Sequence, residues 1–87
     1  MDSPEKFIKA VQEGVATVEF RKINTDELRI MPCTLNSEVA GTPIAIKSFD
    51  PLSDNIAVWC LDKAAWRSFR VSTVEKWYEG YPEGYEL

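Results

Sequence analysis

The chain has 87 residues, of which 45% are hydrophobic and 28% charged, a composition typical of one small globular domain that excludes a disordered chain. Its net charge of −4 argues against a general nucleic-acid binder, whose affinity rests on basic surface, but leaves a local basic patch open. No apolar run approaches the roughly 18 residues of a membrane span, so we expect no membrane contact.

The N-terminus and the cysteines indicate the compartment. Charged residues stand in the first ten positions, where a signal peptide has its apolar core, so we expect no export. Cys33 and Cys60 lie within apolar patterns, and small secreted domains usually carry more cysteines. We therefore expect two reduced, buried thiols in a cytoplasmic protein. With two cysteines and no histidine, we predict no metal site and no cofactor.

The first predicted element is an α-helix over about residues 3–13. Ser3 suits the N-cap, Pro4 suits the first helical position, and Gly14 is a natural stop. Three apolar residues fall on one face at helical spacing: Phe7, Ile8 and Val11. We expect this helix to cover the end of a sheet.

A β-hairpin is predicted next. Ala16, Val18 and Phe20 alternate with polar residues, which is the pattern of a half-buried strand. The stretch "INTDE" supplies turn residues, and alternation then resumes until Pro32, which marks an edge, a bulge or an ending. Residues 36–54 change character, with a possible short strand at "IAIKSF". A connection of this length is often functional or mobile, and the sequence leaves its order open.

The second hairpin has the clearest pattern. The β-rich run "NIAVWCL" is followed by "DKAA", which turns the chain, and by "WRSFRV", which returns it. Alternation divides the return strand into two faces: Trp66, Ser68 and Arg70 on one, and Arg67, Phe69 and Val71 on the other. "STVEKWY" predicts a further strand or a helical turn leading into one, and the acidic tail of about residues 79–87 little regular structure. Short strands at this spacing predict a small barrel, because closure removes exposed edges.

The chain lacks the usual parts of an enzyme. Histidine, the commonest general base, is absent, and the four glycines form no phosphate-binding loop. Cys60 lies in a strand pattern between Trp59 and Leu61, which is typical of a core residue and not of a nucleophile. We therefore expect no enzymatic activity.

The second hairpin carries the candidate binding residues. Aromatic faces stack on bases, and a guanidinium binds phosphates. We expect a ligand or nucleic-acid site at Trp66, Arg67 and Arg70, with Lys63 adding charge at the turn. The two arginines point to opposite faces of an ideal strand, so a twist, a bulge or a strand end must bring them together.

A purely structural role for these residues is the alternative. Trp59 and Trp77 fit the barrel core better than a binding surface, and Trp66, at the mouth of the turn, fits either role. Arg67 could instead pair with a glutamate of the tail.

At this hairpin the sequence "AVWCLDKAAWRSFRVSTV" resembles the signature of WYL domains, in which a Trp-Tyr-Leu strand leads through a turn to an Arg-x-Phe-Arg segment. Here "RSFR", residues 67–70, matches that segment. The chain is more similar still to small, mostly bacteriophage-encoded WYL-like proteins with an Sm-like β-barrel. The shared features are "CTLN" (33–36) and "VW.L.K.AWRSFR" (58–70), and the matching stretches, 17–36 and 55–78, cover about half the chain.

The length predicts one domain over residues 1–87, mainly β and with the N-terminal α-helix described above. The resemblance implies that this domain is a small Sm-like or SH3-like open barrel of about five strands, and the N-terminal helix and the acidic tail lie outside the match. It also implies that Arg67 and Arg70 contribute to an electropositive site in a ligand-sensing or nucleic-acid-sensing module. The chain departs from the WYL pattern at "WCL" (59–61), where the tyrosine is missing, and no winged-helix domain accompanies it.

Three functional hypotheses follow. The first is a non-enzymatic, phage-type binding or regulatory module of the host cytoplasm that engages nucleic acid or a nucleotide-like ligand through the hairpin. The second is an acidic adaptor or inhibitor that binds a host protein through its charge and its tail. The third is a protein that associates with itself through edge strands as a homo-oligomer.

Overall fold

The computed structural model describes residues 4–44 and 54–85. The elements, in chain order, are helix α1 (Pro4–Glu13), strands β1 (Val15–Arg21) and β2 (Leu28–Thr34), helix α2 (Ser37–Ala40), and strands β3 (Asn55–Cys60), β4 (Ala65–Arg70) and β5 (Val74–Glu79). A 3₁₀ turn, Val71–Thr73, joins β4 to β5. Within the described residues, no helix is long and apolar enough to cross a membrane.

The five strands form one antiparallel sheet in the order β4-β3-β2-β1-β5. β4 and β5 are the two edges, yet only a three-residue 3₁₀ turn separates them in the chain. The sheet must therefore curl until its edges meet at one end, which gives an open barrel. Phe20 of β1 stacks on Phe69 of β4 across the interior, with ring centroids 5.5 Å apart. The prediction of a mainly β, five-stranded open barrel with an N-terminal helix is confirmed.

Alternation along the strands fills the barrel, because every second side chain points inward. The inward-facing side chains are apolar and buried: Ala16, Val18, Met31, Cys33, Ile56, Val58, Cys60 and Phe69. Both cysteines are free thiols, as the apolar pattern around them predicts.

Helix α1 packs its apolar face against β1, β2 and β5. Phe7 is fully buried and meets Phe69 and Trp77 edge-on, with centroid distances of 5.7 and 5.4 Å. One side chain of the helix therefore holds β4 and β5 together from inside.

Thr34, the last residue of β2, ties the sheet to the end of α1. Its buried hydroxyl lies 2.6 Å from the carbonyl oxygen of Gly14 and 3.1 Å from that of Val11. The same hydroxyl accepts a 3.0 Å hydrogen bond from the backbone N–H of Asn36. This buried hydroxyl thus both donates and accepts hydrogen bonds, as burial of a polar group requires.

β2 continues through Pro32, so of the three alternatives for this proline, an edge, a bulge or an ending, the structure supports the edge. Residues 28–31 pair with β1, and β3 joins β2 only at Cys33 and Thr34. Pro32 therefore stands where β2 changes from an edge strand into an inner strand, which agrees with the confinement of proline to edges.

Residues 36–54 begin with an element that the sequence did not indicate. The Asn36 side chain accepts hydrogen bonds from the backbone N–H groups of Glu38 and Val39, and Gly41 ends the four-residue α2 with φ at 72°. The strand predicted at "IAIKSF" falls outside the described residues except for Ile44, which is not in a strand.

Candidate functional site

The candidate residues of the β3–β4 hairpin lie on two faces of the sheet, as alternation predicts. Trp66 pairs with Trp59, and Arg70 pairs with Asn55, so Trp66 and Arg70 share the outer face. Arg67 pairs with Val58, a buried core residue, and so starts from the inner face.

Two tryptophans form the aromatic part of the outer face. Trp66 is 37% exposed, and its ring meets that of Trp59 edge-on at a centroid distance of 5.9 Å. The assignment of Trp59 to the core is therefore wrong: it lies outside the buried cluster, because its strand position faces outward. Trp77 does pack against the core, as predicted.

Arg67 escapes the barrel interior because β4 is an edge strand. Its side chain is exposed, and its Nη1 donates a 3.0 Å hydrogen bond to the backbone carbonyl of Trp66. The guanidinium therefore turns back along the strand edge toward Trp66. Among residues 4–44 and 54–85 it forms no ion pair, so the suggested bridge to a tail glutamate does not occur there.

The four predicted site residues do not meet at one point. Lys63 lies in the exposed turn beside Trp66 and Arg67, whereas Arg70 ends the strand. A strand rises about 3.3 Å per residue, so roughly 13 Å separate Trp66 from Arg70. We call the group at the turn, Trp59, Lys63, Trp66 and Arg67, the hairpin surface.

The hairpin has the opposite charge to the rest of the chain. Residues 55–70 contain three cations, Lys63, Arg67 and Arg70, and one carboxylate, Asp62, which gives a formal charge of +2. The remaining residues therefore carry −6 to reach the net −4. A cationic segment on an acidic protein favours anionic ligands locally while like-charged surroundings limit unspecific binding.

Arg70 belongs to a second feature, a cleft of about 290 Å³ at the end of the barrel, which we call the end cleft. It lies between the tip of the first hairpin and the end of β4. Its lining residues are Phe20, Arg21, Lys22, Ile23, Asn24, Asn55, Ser68, Phe69, Arg70 and Thr73. Three of these are cations and none is a carboxylate. The sequence did not point to this cleft.

The carboxylate near Arg70, that of Asp54, forms its hydrogen bonds with Ser72. Asp54 precedes Asn55, the register partner of Arg70, but its carboxylate accepts hydrogen bonds from the backbone N–H and the hydroxyl of Ser72 at 3.0 and 2.8 Å. In the part of the chain that the structure describes, the Arg70 guanidinium therefore has no carboxylate partner.

Arg21, in contrast, is already paired. Its Nε lies 2.6 Å from a carboxylate oxygen of Glu75, and this hydrogen bond raises the pKa of the Arg21 guanidinium. Both side chains are close to half exposed, so the pair adds little stability. Lys22 and Arg70 are thus the two cations of the end cleft without an ion pair among the described residues.

A separate polar cluster lies where the hairpin turn meets β2. Arg29 contacts both carboxylate oxygens of Asp62 at 2.9 and 3.0 Å, and the Cys60 thiol donates to the same carboxylate at 2.6 Å. Desolvation would raise the pKa of Asp62, but the hydrogen bonds from Cys60 and Arg29 outweigh it, so this pKa is lowered. Burial, followed by the bond to Asp62, raises the pKa of the Cys60 thiol. A protonated thiol in an ion pair is a structural contact and a poor nucleophile.

Within residues 4–44 and 54–85, no group of three or more His, Cys, Asp or Glu side chains is placed to hold a metal ion. Comparison of the chain with protein-family models, curated proteins and solved structures finds no match. The resemblance to WYL-like phage proteins therefore stays a prediction, and the chemistry of the hairpin has to carry the functional proposal.

Proposed function

We propose that the protein is a non-enzymatic binding module for nucleic acid or a nucleotide-like ligand, engaged through the β3–β4 hairpin. The observation that carries the proposal is the concentration of positive charge on the hairpin of an acidic protein, beside an exposed tryptophan. The positive charge and the tryptophan support the proposal only together, because a lone basic patch or a lone surface tryptophan is common on proteins without a binding role.

The hairpin surface combines the two contacts that a single strand needs. The Trp66 side chain, 37% exposed, supplies an aromatic ring for stacking with a base, a contact worth about 1–3 kcal/mol in single-strand binding proteins. Arg67 turns its guanidinium toward the backbone of the same residue, and Lys63 extends the charge into the turn. A stacked base and its phosphate would thus meet neighbouring groups.

The test is the binding of fluorescently labelled single-stranded RNA and DNA, measured by anisotropy at low and high salt. We expect Arg67→Gln to weaken binding about three- to tenfold and to reduce the slope of log K against log salt by about one phosphate contact. Trp66→Ala should weaken binding at every salt concentration, because stacking does not depend on counterions.

Lys9→Gln is the matched control, since it removes one positive charge from an exposed position of α1, away from the hairpin. Equal losses of affinity in Lys9→Gln and Arg67→Gln would show that binding depends only on the net charge of the protein and would contradict the proposal. Absence of binding by the wild-type protein to either strand would leave the acidic adaptor as the better hypothesis.

A further inference from the structure

The end cleft has a composition that the hairpin surface does not explain. It brings Lys22 of the first hairpin to the same cleft as Arg70 of the second, 48 positions later in the chain. Its lining also includes four polar residues: Asn24, Asn55, Ser68 and Thr73. The protein has 14 Asp and Glu residues, yet the described residues that line this cleft include three cations and no carboxylate, which favours an anionic ligand.

Local hydrogen bonds order the backbone at Lys22 and Arg70, the two cations of the cleft that form no ion pair among the described residues. The turn that carries Lys22 is closed by backbone bonds from the Lys22 N–H to the Glu27 carbonyl and from the Asp26 N–H to the Lys22 carbonyl, at 2.9 and 2.8 Å. Arg70 ends β4, where the Thr73 hydroxyl donates to its carbonyl at 2.7 Å. Two cations on ordered backbone lose less conformational entropy on binding than two on mobile loops.

The remaining lining is apolar. Phe20 is partly buried and stacks on the buried Phe69, and Ile23 is 67% exposed at the rim. Such a surface suits the ring of a base or a sugar, whereas the cations suit its phosphate. A volume of about 290 Å³ lies at the lower limit of small-molecule sites, so it fits one nucleotide and not a strand.

We infer that the end cleft binds the phosphate monoester of a single nucleotide, either free or at the 5′ end of a strand, an inference that rests on the proposed function of the hairpin. A phosphate monoester carries a charge of about −1.5 to −2 at neutral pH, whereas an internal phosphodiester carries −1. Lys22 and Arg70, which form no ion pair among residues 4–44 and 54–85, therefore match the charge of the monoester. Arg21 would contribute less, because Glu75 already neutralises it.

The first experiment compares one single-stranded oligonucleotide with a 5′ phosphate or a 5′ hydroxyl, and adenosine 5′-monophosphate with adenosine. We expect the phosphorylated member of each pair to bind about tenfold more tightly, the size of one added charge-assisted hydrogen bond. Lys22→Gln and Arg70→Gln should each remove most of that difference, whereas Lys9→Gln should keep it. Glu75→Gln should increase it a few-fold, because it releases Arg21.

The outcomes separate this inference from the proposed function. Equal affinity for the 5′-phosphate and 5′-hydroxyl strands, with Arg67→Gln still weakening both, would overturn the cleft and leave the hairpin surface. A phosphate preference that depends on Lys22 and Arg70, with Arg67→Gln unchanged, would support the cleft and overturn the hairpin surface. No binding of any of the four probes would overturn both.

Discussion

The two hairpins of this protein are built alike but attached differently. β1 pairs along its length with β2 on one side and with β5 on the other, so the first hairpin lies at the centre of the sheet. The β3–β4 hairpin pairs with the sheet at two positions, where Cys33 and Thr34 of β2 lie opposite Cys60 and Trp59. Its turn adds the hydrogen bond from the Leu61 N–H to the Pro32 carbonyl and the salt bridge between Arg29 and Asp62. Its attachment therefore rests on this short ladder, on the turn contacts and on its buried inner side chains.

The difference teaches that stability and binding are separable here. The inward residues of the second hairpin, such as Val58 and Phe69, are buried in the common core, whereas Trp66 and Arg67 are exposed. Substitutions inside the barrel should change the free energy of unfolding, and substitutions on the hairpin surface should change affinity.

The largest effect is expected at Phe7, the residue of α1 that joins β4 of the second hairpin to β5. Phe7→Ala removes the ring between Phe69 and Trp77 and should cost about 3–5 kcal/mol of unfolding free energy, much of what a domain of this size has. Chemical denaturation measures the loss, and Phe7→Leu, which keeps more volume, should cost less. Loss of amide protection in β3 and β4 alone would show that the hairpin unfolds separately, contrary to this view of one shared core.

A smaller effect is expected at Thr34, which ties the first region to α1. Thr34→Val keeps the shape of the side chain but leaves the Gly14 carbonyl and the Asn36 N–H without their partner. Burying such unpaired groups should cost about 1–3 kcal/mol. Thr73→Val is the comparison at a more accessible site, where the hydroxyl donates a hydrogen bond to the Arg70 carbonyl. Equal costs for the two variants would argue against a special role of Thr34.

The smallest effect is expected at Asp62, which fastens the hairpin turn to β2. Because folding lowers the pKa of Asp62, its ionised form stabilises the fold at pH above the unfolded value of about 3.9, and this contribution is lost as the pH falls through the lower folded pKa. Asp62→Asn should therefore cost about 0.5–1.5 kcal/mol at pH 7. Urea titrations of both proteins should converge near pH 2. A pH-independent difference would assign the effect to packing.

The elements with strong local patterns could be predicted from the sequence. The helix at Pro4–Glu13, both hairpins and the 3₁₀ turn before β5 follow from capping, alternation and turn residues, which act over a few positions. Helix α2 was missed, because four residues held by one Asn36 cap leave no periodicity to read.

The site could be predicted only in part. Alternation tells which residues share a face, so the separation of Arg67 from Trp66 and Arg70 was predicted correctly. Alternation does not tell which face is inner. The large apolar ring of Trp59 suggested that this residue faces the core, whereas it lies on the outer face. The end cleft depends on barrel closure, which brings Lys22 and Arg70 together from separate hairpins. A pattern of neighbouring residues in the sequence does not predict such a long-range contact.

The gap between β2 and the second hairpin has a consequence for aggregation. Residues 28–31 pair with β1 on one side, and no described strand covers the other, so a strand of a second chain could add there. Two features of β2 disfavour such an addition. Arg29 reaches across the gap to Asp62, and its guanidinium donates a 3.0 Å hydrogen bond to the Ile30 carbonyl, which is then less available to another strand. Pro32 has no backbone N–H to donate to an added strand. The same salt bridge that fastens the turn thus places a charged side chain at this edge, a feature by which natural sheets disfavour pairing with another chain.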